Sequence, residues 1–264
     1  MPSRSLTAIL WDFDGTLADT RARNFQVVRR VMADATGKPA DHVPALRSRE
    51  VYDRVNRSYA NWRDLYRQEF GFSEEETDRV GRMWTEYQLA DETPAPVFRG
   101  VKTALAPLAH LPHGIVSMNG RRQIERSMQA AALAPYFRSV VGWEDVDIRR
   151  QKPEPDGILA CLERVSGGAP GTVLYVGDHE TDVRCAARAN EELQRRGAEV
   201  EVVAVLACFA GAVSHDHWPV RPTFTARRPR DVVTVAGGFP KQVIGGRWRG
   251  DACVAPPRSR RPRS

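Results

Sequence analysis

Residues 8–11 (Ala-Ile-Leu-Trp) run directly into Asp12-Phe13-Asp14-Gly15-Thr16. The apolar run reads as a buried strand, and the glycine that follows breaks it. Within a strand, residues i and i+2 face the same side, so the pattern sets two carboxylates side by side where a buried strand ends. Burying two acids is costly unless a cation or a reaction requires them. At ordinary residue usage an Asp-x-Asp-Gly-Thr string arises by chance in about 0.2% of chains of this length. A fold that tolerates it must bring compensating groups to that strand end from elsewhere.

Short apolar runs recur at residues 114–117, 139–142, 172–176 and 200–206, each followed by a polar or glycine-containing turn. Helical periodicity fills residues 121–133, 155–165 and 181–196. Strand and helix alternate, which predicts an α/β fold, a parallel sheet covered by helices. Ligands of such sheets bind beyond the carboxyl ends of the strands, where Asp12, Ser117 and Asp178 all fall.

The first strand does not return through a simple crossover. About 75 residues, 21–96, intervene, far more than a crossover helix needs. Phe25, Val28 and Val31 share a helical face, residues 50–70 are rich in aromatics, and Ser73 with Glu76 forms a capping box for a helix reaching about Leu89. Thr93-Pro94-Ala95-Pro96 then reads as a hinge. Residues 21–96 are therefore read as a helical cap inserted into a core formed by residues 1–20 and 97–236. A last short strand and helix are expected within 224–235, and no internal repeat is evident.

The net charge of +6 is confined to one end. Residues 237–264 hold seven basic residues and one acid; of the chain's 39 basic and 33 acidic residues, this leaves 32 of each in residues 1–236. The tail is rich in Gly, Pro and Arg and is expected to be disordered. Apart from Phe239 and Trp248 it lacks the aromatics that stack on bases, so nucleic acid is not expected as a partner. The four cysteines are widely spaced without Cys-x-x-Cys, which fits reduced thiols and a cytoplasmic location. Residues 1–7 are too short and polar for a signal peptide, and no apolar run reaches membrane-spanning length.

Four segments carry the chemistry. They are Asp12 with Asp14, then Ser117-Met118-Asn119-Gly120, then Lys152-Pro153-Glu154-Pro155, and last Gly177-Asp178-His179-Glu180-Thr181-Asp182. Several acids around one lysine at the ends of parallel strands suit a hard divalent cation and a phosphoryl group. Mg²⁺ in particular prefers oxygen ligands.

In this order the four segments resemble those of the haloacid dehalogenase superfamily. The helical insertion is similar to the smaller cap type of phosphoglycolate phosphatases. The resemblance implies a Rossmann-like core and a Mg²⁺-dependent phosphatase acting on a small phosphorylated metabolite such as phosphoglycolate. It implies that Asp12 is the nucleophile, forming an aspartyl-phosphate, and that Asp14 is the general acid and then base. Thr16, Ser117, Asn119 and Lys152 would bind the phosphoryl oxygens. Asp12, the main-chain carbonyl of Asp14, and Asp178 would hold the metal, and Asp182 would orient Lys152 or a metal-bound water. Within the superfamily Asp14 favours phosphoryl transfer, since a halide leaves without a proton. A phosphosugar mutase, or a non-catalytic binding protein using the basic tail, are the alternatives. Asp19 is expected to stabilise the turn after Thr16, His179 to be a bystander, and the cap aromatics to serve packing. Arg21, Arg23 and Asn24 lie where the cap begins and could face the site, though arginines on a helix are usually solvated. The sequence leaves substrate identity and oligomeric state open.

Overall fold

The computed structural model describes residues 4–240 apart from residues 60 and 92. The basic stretch from Lys241 onward and Cys253 lie outside the described residues, as does most of the expected tail. Six strands form one parallel sheet: β1 (Leu6–Trp11), β2 (His113–Val116), β3 (Phe137–Val141), β4 (Gly171–Gly177), β5 (Val200–Ala207) and β6 (Phe224–Ala226). Their order is β3-β2-β1-β4-β5-β6. The chain winds outward from β1 to β3, then crosses back to lay β4 on the other side of β1. The order reverses there, and α/β sheets bind ligands at such a point.

Every residue of β1, β2 and β4 is buried, as a parallel sheet covered on both faces requires. Alternate residues serve opposite faces. Ile9, Trp11, Leu174 and Val176 pack against α5 (Val101–Leu108), α6 (Arg121–Ala130) and α9 (Pro229–Gly237). Ala8, Leu10, Val173 and Tyr175 pack against α7 (Asp156–Ser166) and α8 (Glu180–Arg195). Helix α5 was not among the expected helices, although its buried residues Val101, Ala104, Leu105 and Leu108 keep the i, i+3, i+4, i+7 spacing. Phe239 is buried against the first face, so the core reaches past residue 236, where the tail was expected to begin.

Polar groups inside the sheet are satisfied. Trp11 Nε1 donates to His113 Nδ1 at 3.1 Å, and His113 Nε2 lies 3.0 Å from the Leu108 carbonyl. Burial lowers the His113 pKa to about 4, so the imidazole is neutral, carrying its proton on Nε2 for Leu108. Gly114 shows how tightly β2 meets α7. A Cβ there would stand 2.4 Å from Cys161 Sγ and 3.0 Å from side chains of Leu10 and Val165. Gly114→Ala is therefore expected to destabilise the fold by about 1–3 kcal/mol, read as a lower urea midpoint at unchanged slope.

The helices between β1 and the return to the sheet are α1 (Arg21–Thr36), α2 (Arg49–Arg57), α3 (Trp62–Asp64, continued as a π-helical turn over Leu65–Glu69) and α4 (Glu74–Ala90). The aromatic-rich stretch is broken between α2 and α3, where Asn61 Oδ1 caps the new helix by accepting from Asp64 N–H at 2.9 Å. The capping box of α4 forms in both directions, Glu76 N–H to Ser73 Oγ at 3.2 Å and Ser73 N–H to Glu76 Oε2 at 2.8 Å. These helices share their own apolar cluster, which includes Val28, Val31, Leu46, Leu65 and Val80. The chain leaves and re-enters the sheet layer at one seam: Ala18 bridges Val97 in antiparallel fashion, and Asp19 N–H donates to Pro96 O at 2.8 Å. Among the described residues no helix is long and apolar enough to cross a membrane.

Candidate active site

Asp12 stands one residue beyond β1, and its main-chain N–H still donates to Val176 O at 2.8 Å. Its buried side chain meets Lys152, whose Nζ donates to Asp12 Oδ1 at 2.5 Å and to Asp182 Oδ1 at 2.8 Å. Asp182 is held on both oxygens. Oδ1 also accepts from the Tyr175 hydroxyl at 3.0 Å, and Oδ2 accepts from His179 N–H at 3.1 Å. Gly177 makes room for it, since a Cβ there would come within 2.3 Å of Asp182 Cγ.

Asp178 has a different setting. Among the described residues it accepts no hydrogen bond, and it lies directly over Gly15, where a Cβ would be 2.1 Å from Asp178 Oδ2. Gly15 also has φ +73°, in the left-handed region that side chains disfavour. Glycine is thus required after Asp14 for two independent reasons. One carboxylate oxygen each from Asp12, Asp178 and Asp182 lie within 4.8 Å of one another.

Asp14 turns elsewhere. Strand β1 ends at Trp11, so the same-side rule does not extend to Asp14, which sits in a turn where Gly15 N–H donates to Ala18 O at 2.9 Å. Its carboxylate accepts from Asn119 Nδ2 at 3.3 Å, Ser117 Oγ at 3.4 Å and Asn24 Nδ2 at 3.3 Å, and the Arg23 guanidinium lies 3.9 Å away. The paired acids read from the sequence are neighbours with separate partners.

Lys152 contacts Asp12 and Asp182, and its charge also reaches Asp178. Burial raises the Asp12 pKa well above the carboxylate range; Lys152 opposes this, and Asp182, Asp178 and Asp14 add to it. Asp178 is pushed up to about 8, by burial first and Asp182 second, with Arg57 acting against them. Burial also works against charge on Lys152, but Asp12 and Asp182 outweigh it and raise the ammonium's pKa. Lys152 is therefore charged beside an ionised carboxylate, and the surplus acids take up protons or a cation. The donors are all oxygens with excess negative charge, which suits a hard divalent ion. Because both Asp182 oxygens are already engaged, Asp12 and Asp178 are the carboxylates with oxygens to offer.

A pH dependence follows. Folded Asp178 keeps its proton up to about pH 8, whereas in the unfolded chain it loses it near 3.8. The folded state thus binds the extra proton, and stability without metal falls as pH rises between about 4 and 8. In EDTA the melting temperature is expected to drop across that range, and Mg²⁺ should restore it most at the alkaline end. A Mg²⁺ shift that is largest at about pH 5 would contradict this assignment.

A cavity of about 230 Å³ opens above these groups. Of the site residues expected from sequence, Asp12, Asp14, Ser117, Asn119, Lys152, Asp178 and Asp182 line it, and Thr16 does not. The Thr16 hydroxyl is buried with no hydrogen-bond partner among the described residues. Asp19 forms an ion pair with Arg21 at 2.6 Å. Arg23 departs from the solvated arginine expected of it: its guanidinium nitrogens are buried without hydrogen-bond partners, so Asp14 is its compensating charge. His179 is no bystander. Its Nδ1 accepts from Thr181 N–H at 3.3 Å and caps α8, and it lines the cavity. Asn24, placed by the sequence where the inserted helices begin, does face the site and donates to Asp14. Tyr175 was missed as a partner of Asp182, and nothing in the sequence marks it.

The chain matches the haloacid dehalogenase-like hydrolase family over residues 9–193. It is similar to the phosphoglycolate phosphatase of Synechococcus elongatus, 31% identical over 186 residues that cover 69% of this chain and 79% of that protein. It is 37% identical to the phosphoglycolate phosphatase of Escherichia coli K12 over 79 residues, a stretch that spans only 30% of either protein. Its fold is like that of a Lactobacillus plantarum protein provisionally named a phosphoglycolate phosphatase, with TM-score 0.67 and 22% identity, covering 88% of this chain and 99% of that one.

Proposed function

This chain belongs to the haloacid dehalogenase-like hydrolases, and we propose that it is a Mg²⁺-dependent phosphatase of small phosphomonoesters, working through an aspartyl-phosphate. The observation that carries the reading is the buried Asp12–Lys152–Asp182 chain beside Asp178, at the point where the strand order reverses. Asp12 and Asp178, with the Asp14 carbonyl, would hold the metal. When bound, Mg²⁺ neutralises phosphoryl oxygens that would otherwise repel a carboxylate.

Asp12 attacks phosphorus as the bond to the leaving oxygen breaks, and Lys152 holds Asp12 in line while its charge stabilises the developing negative oxygens. Asp14 delivers a proton to the leaving oxygen. It then takes a proton from water, which attacks the same phosphorus and returns Asp12 with release of inorganic phosphate. Asn24, Ser117 and Asn119 orient Asp14 for both transfers. The helices of residues 21–90 act as a cap that covers the reacting groups and contacts the leaving group. Phosphoglycolate, the substrate in the names of the relatives, sets the scale of molecule.

The test is phosphate release from p-nitrophenyl phosphate. Turnover with Mg²⁺, lost in EDTA and regained on adding Mg²⁺, is expected; metal-independent turnover would sink the reading.

A further inference from the structure

We propose that the leaving group this site accepts is an alcohol bearing a flat ring. The inference rests on the phosphatase reading and concerns the upper wall of the same cavity.

That wall is aromatic. Trp62 and Trp84 come from the inserted helices and Trp143 from the loop after β3; all three line the cavity and none is fully buried. The rings of Trp62 and Trp143 lie 6.4 Å apart between centroids, so indole surface from both layers bounds one space. Tyr66 stands behind Trp62 with its ring in an edge contact at 5.9 Å. The Tyr66 hydroxyl is buried and has no hydrogen-bond partner among the described residues. Burial holds the phenol protonated, leaving a donor for an oxygen or nitrogen on the ligand.

Gly81 makes the space. It sits inside α4, where glycine costs roughly 0.5–1 kcal/mol relative to alanine. A Cβ at that position would stand 2.7 Å from Trp62 Cη2, so any side chain there displaces the indole.

Arg21 lines the cavity but is held by Asp19 through Nε at 2.7 Å and Nη2 at 2.6 Å. Arg57 also lines the cavity, and its charge acts on Asp178. The chamber thus offers a leaving group indole surface on two sides, and a flat ring there gains aromatic contact that a short aliphatic group does not.

Two primary alkyl phosphates with the same reacting carbon provide the test: ethyl phosphate and 2-phenylethyl phosphate. With Mg²⁺, kcat/KM for 2-phenylethyl phosphate is expected to exceed that for ethyl phosphate by at least about 10-fold. Trp62→Ala should collapse this ratio towards one. Gly81→Val, which displaces the indole without removing it, should do the same. Ethyl phosphate turned over as well as 2-phenylethyl phosphate overturns the inference alone, provided p-nitrophenyl phosphate is hydrolysed. Failure to hydrolyse p-nitrophenyl phosphate or either alkyl phosphate overturns the phosphatase reading, and the inference with it.

Discussion

Asp12→Asn is expected to cut phosphate release by at least about 10³-fold while the metal-free protein melts no lower than the parent. The two effects come from the same geometry. An amide cannot attack phosphorus, so the covalent route closes. The carboxylate it replaces is buried among Asp14, Asp178 and Asp182, which raise its pKa together with burial, so its charge is a liability to the resting fold. Lys152 keeps Asp182 at 2.8 Å as its anion and is not left unpaired. Phosphate release measured with Mg²⁺ reads the first effect, and thermal melting measured in EDTA at about pH 8, where the acids are most fully ionised, reads the second. Near-parental activity would remove Asp12 from the nucleophile's role. A large drop in melting temperature would mean that its pairing with Lys152 outweighs the acid–acid repulsion.

Lys152→Met should give the largest loss of stability. Lys152 is the cation shared by Asp12 and Asp182, and all three side chains are buried. Removing one partner of a buried pair leaves uncompensated charge and typically costs about 3–5 kcal/mol. For a chain of this size that lowers the melting temperature by roughly 6–20 °C. The sign with pH is fixed: protonating the acids at low pH relieves the loss, so the gap from the parent widens as pH rises. Activity should fall by at least about 10²-fold, because the charge that stabilises the transferring phosphoryl group is gone. Parental melting behaviour at about pH 8 would show that water or rearrangement already compensates the acids.

The sheet was legible because its strands are continuous apolar runs, and burial on both faces demands that. The positions of Asp12, Ser117 and Asp178 at strand ends were legible for the same reason. What the sequence conceals is side-chain direction once a strand has ended. Asp12 and Asp14 share a spacing that implies one face, yet the turn closed by Gly15 and Ala18 sends Asp14 to Asn119 and Asn24. Contacts between distant segments are hidden too. Tyr175 faces Asp182, but in the sequence it is one more apolar residue of a strand. The buried guanidinium of Arg23 could not be told from a solvated one, since charge alone does not say which side of α1 meets Asp14. The cap aromatics read as packing, and Tyr52 and Tyr66 do pack, against Phe25 and Phe70. Which of the tryptophans also face a cavity depends on how the helices of residues 21–90 meet the loop carrying Trp143.

The seam at Ala18 and Val97 has a consequence for how such a chain can change. Because the outgoing and returning segments are bridged side by side, the sheet experiences the 21–90 helices as a loop whose ends are already joined. Lengthening a joined loop is cheap, about 0.6 kcal/mol for each doubling. The register of β1 against β2 and β4 is set by contacts that none of those helices makes. The upper chamber can therefore be enlarged, shortened or exchanged for another while the acids and lysine below keep their places, so one catalytic floor can be carried from substrate to substrate.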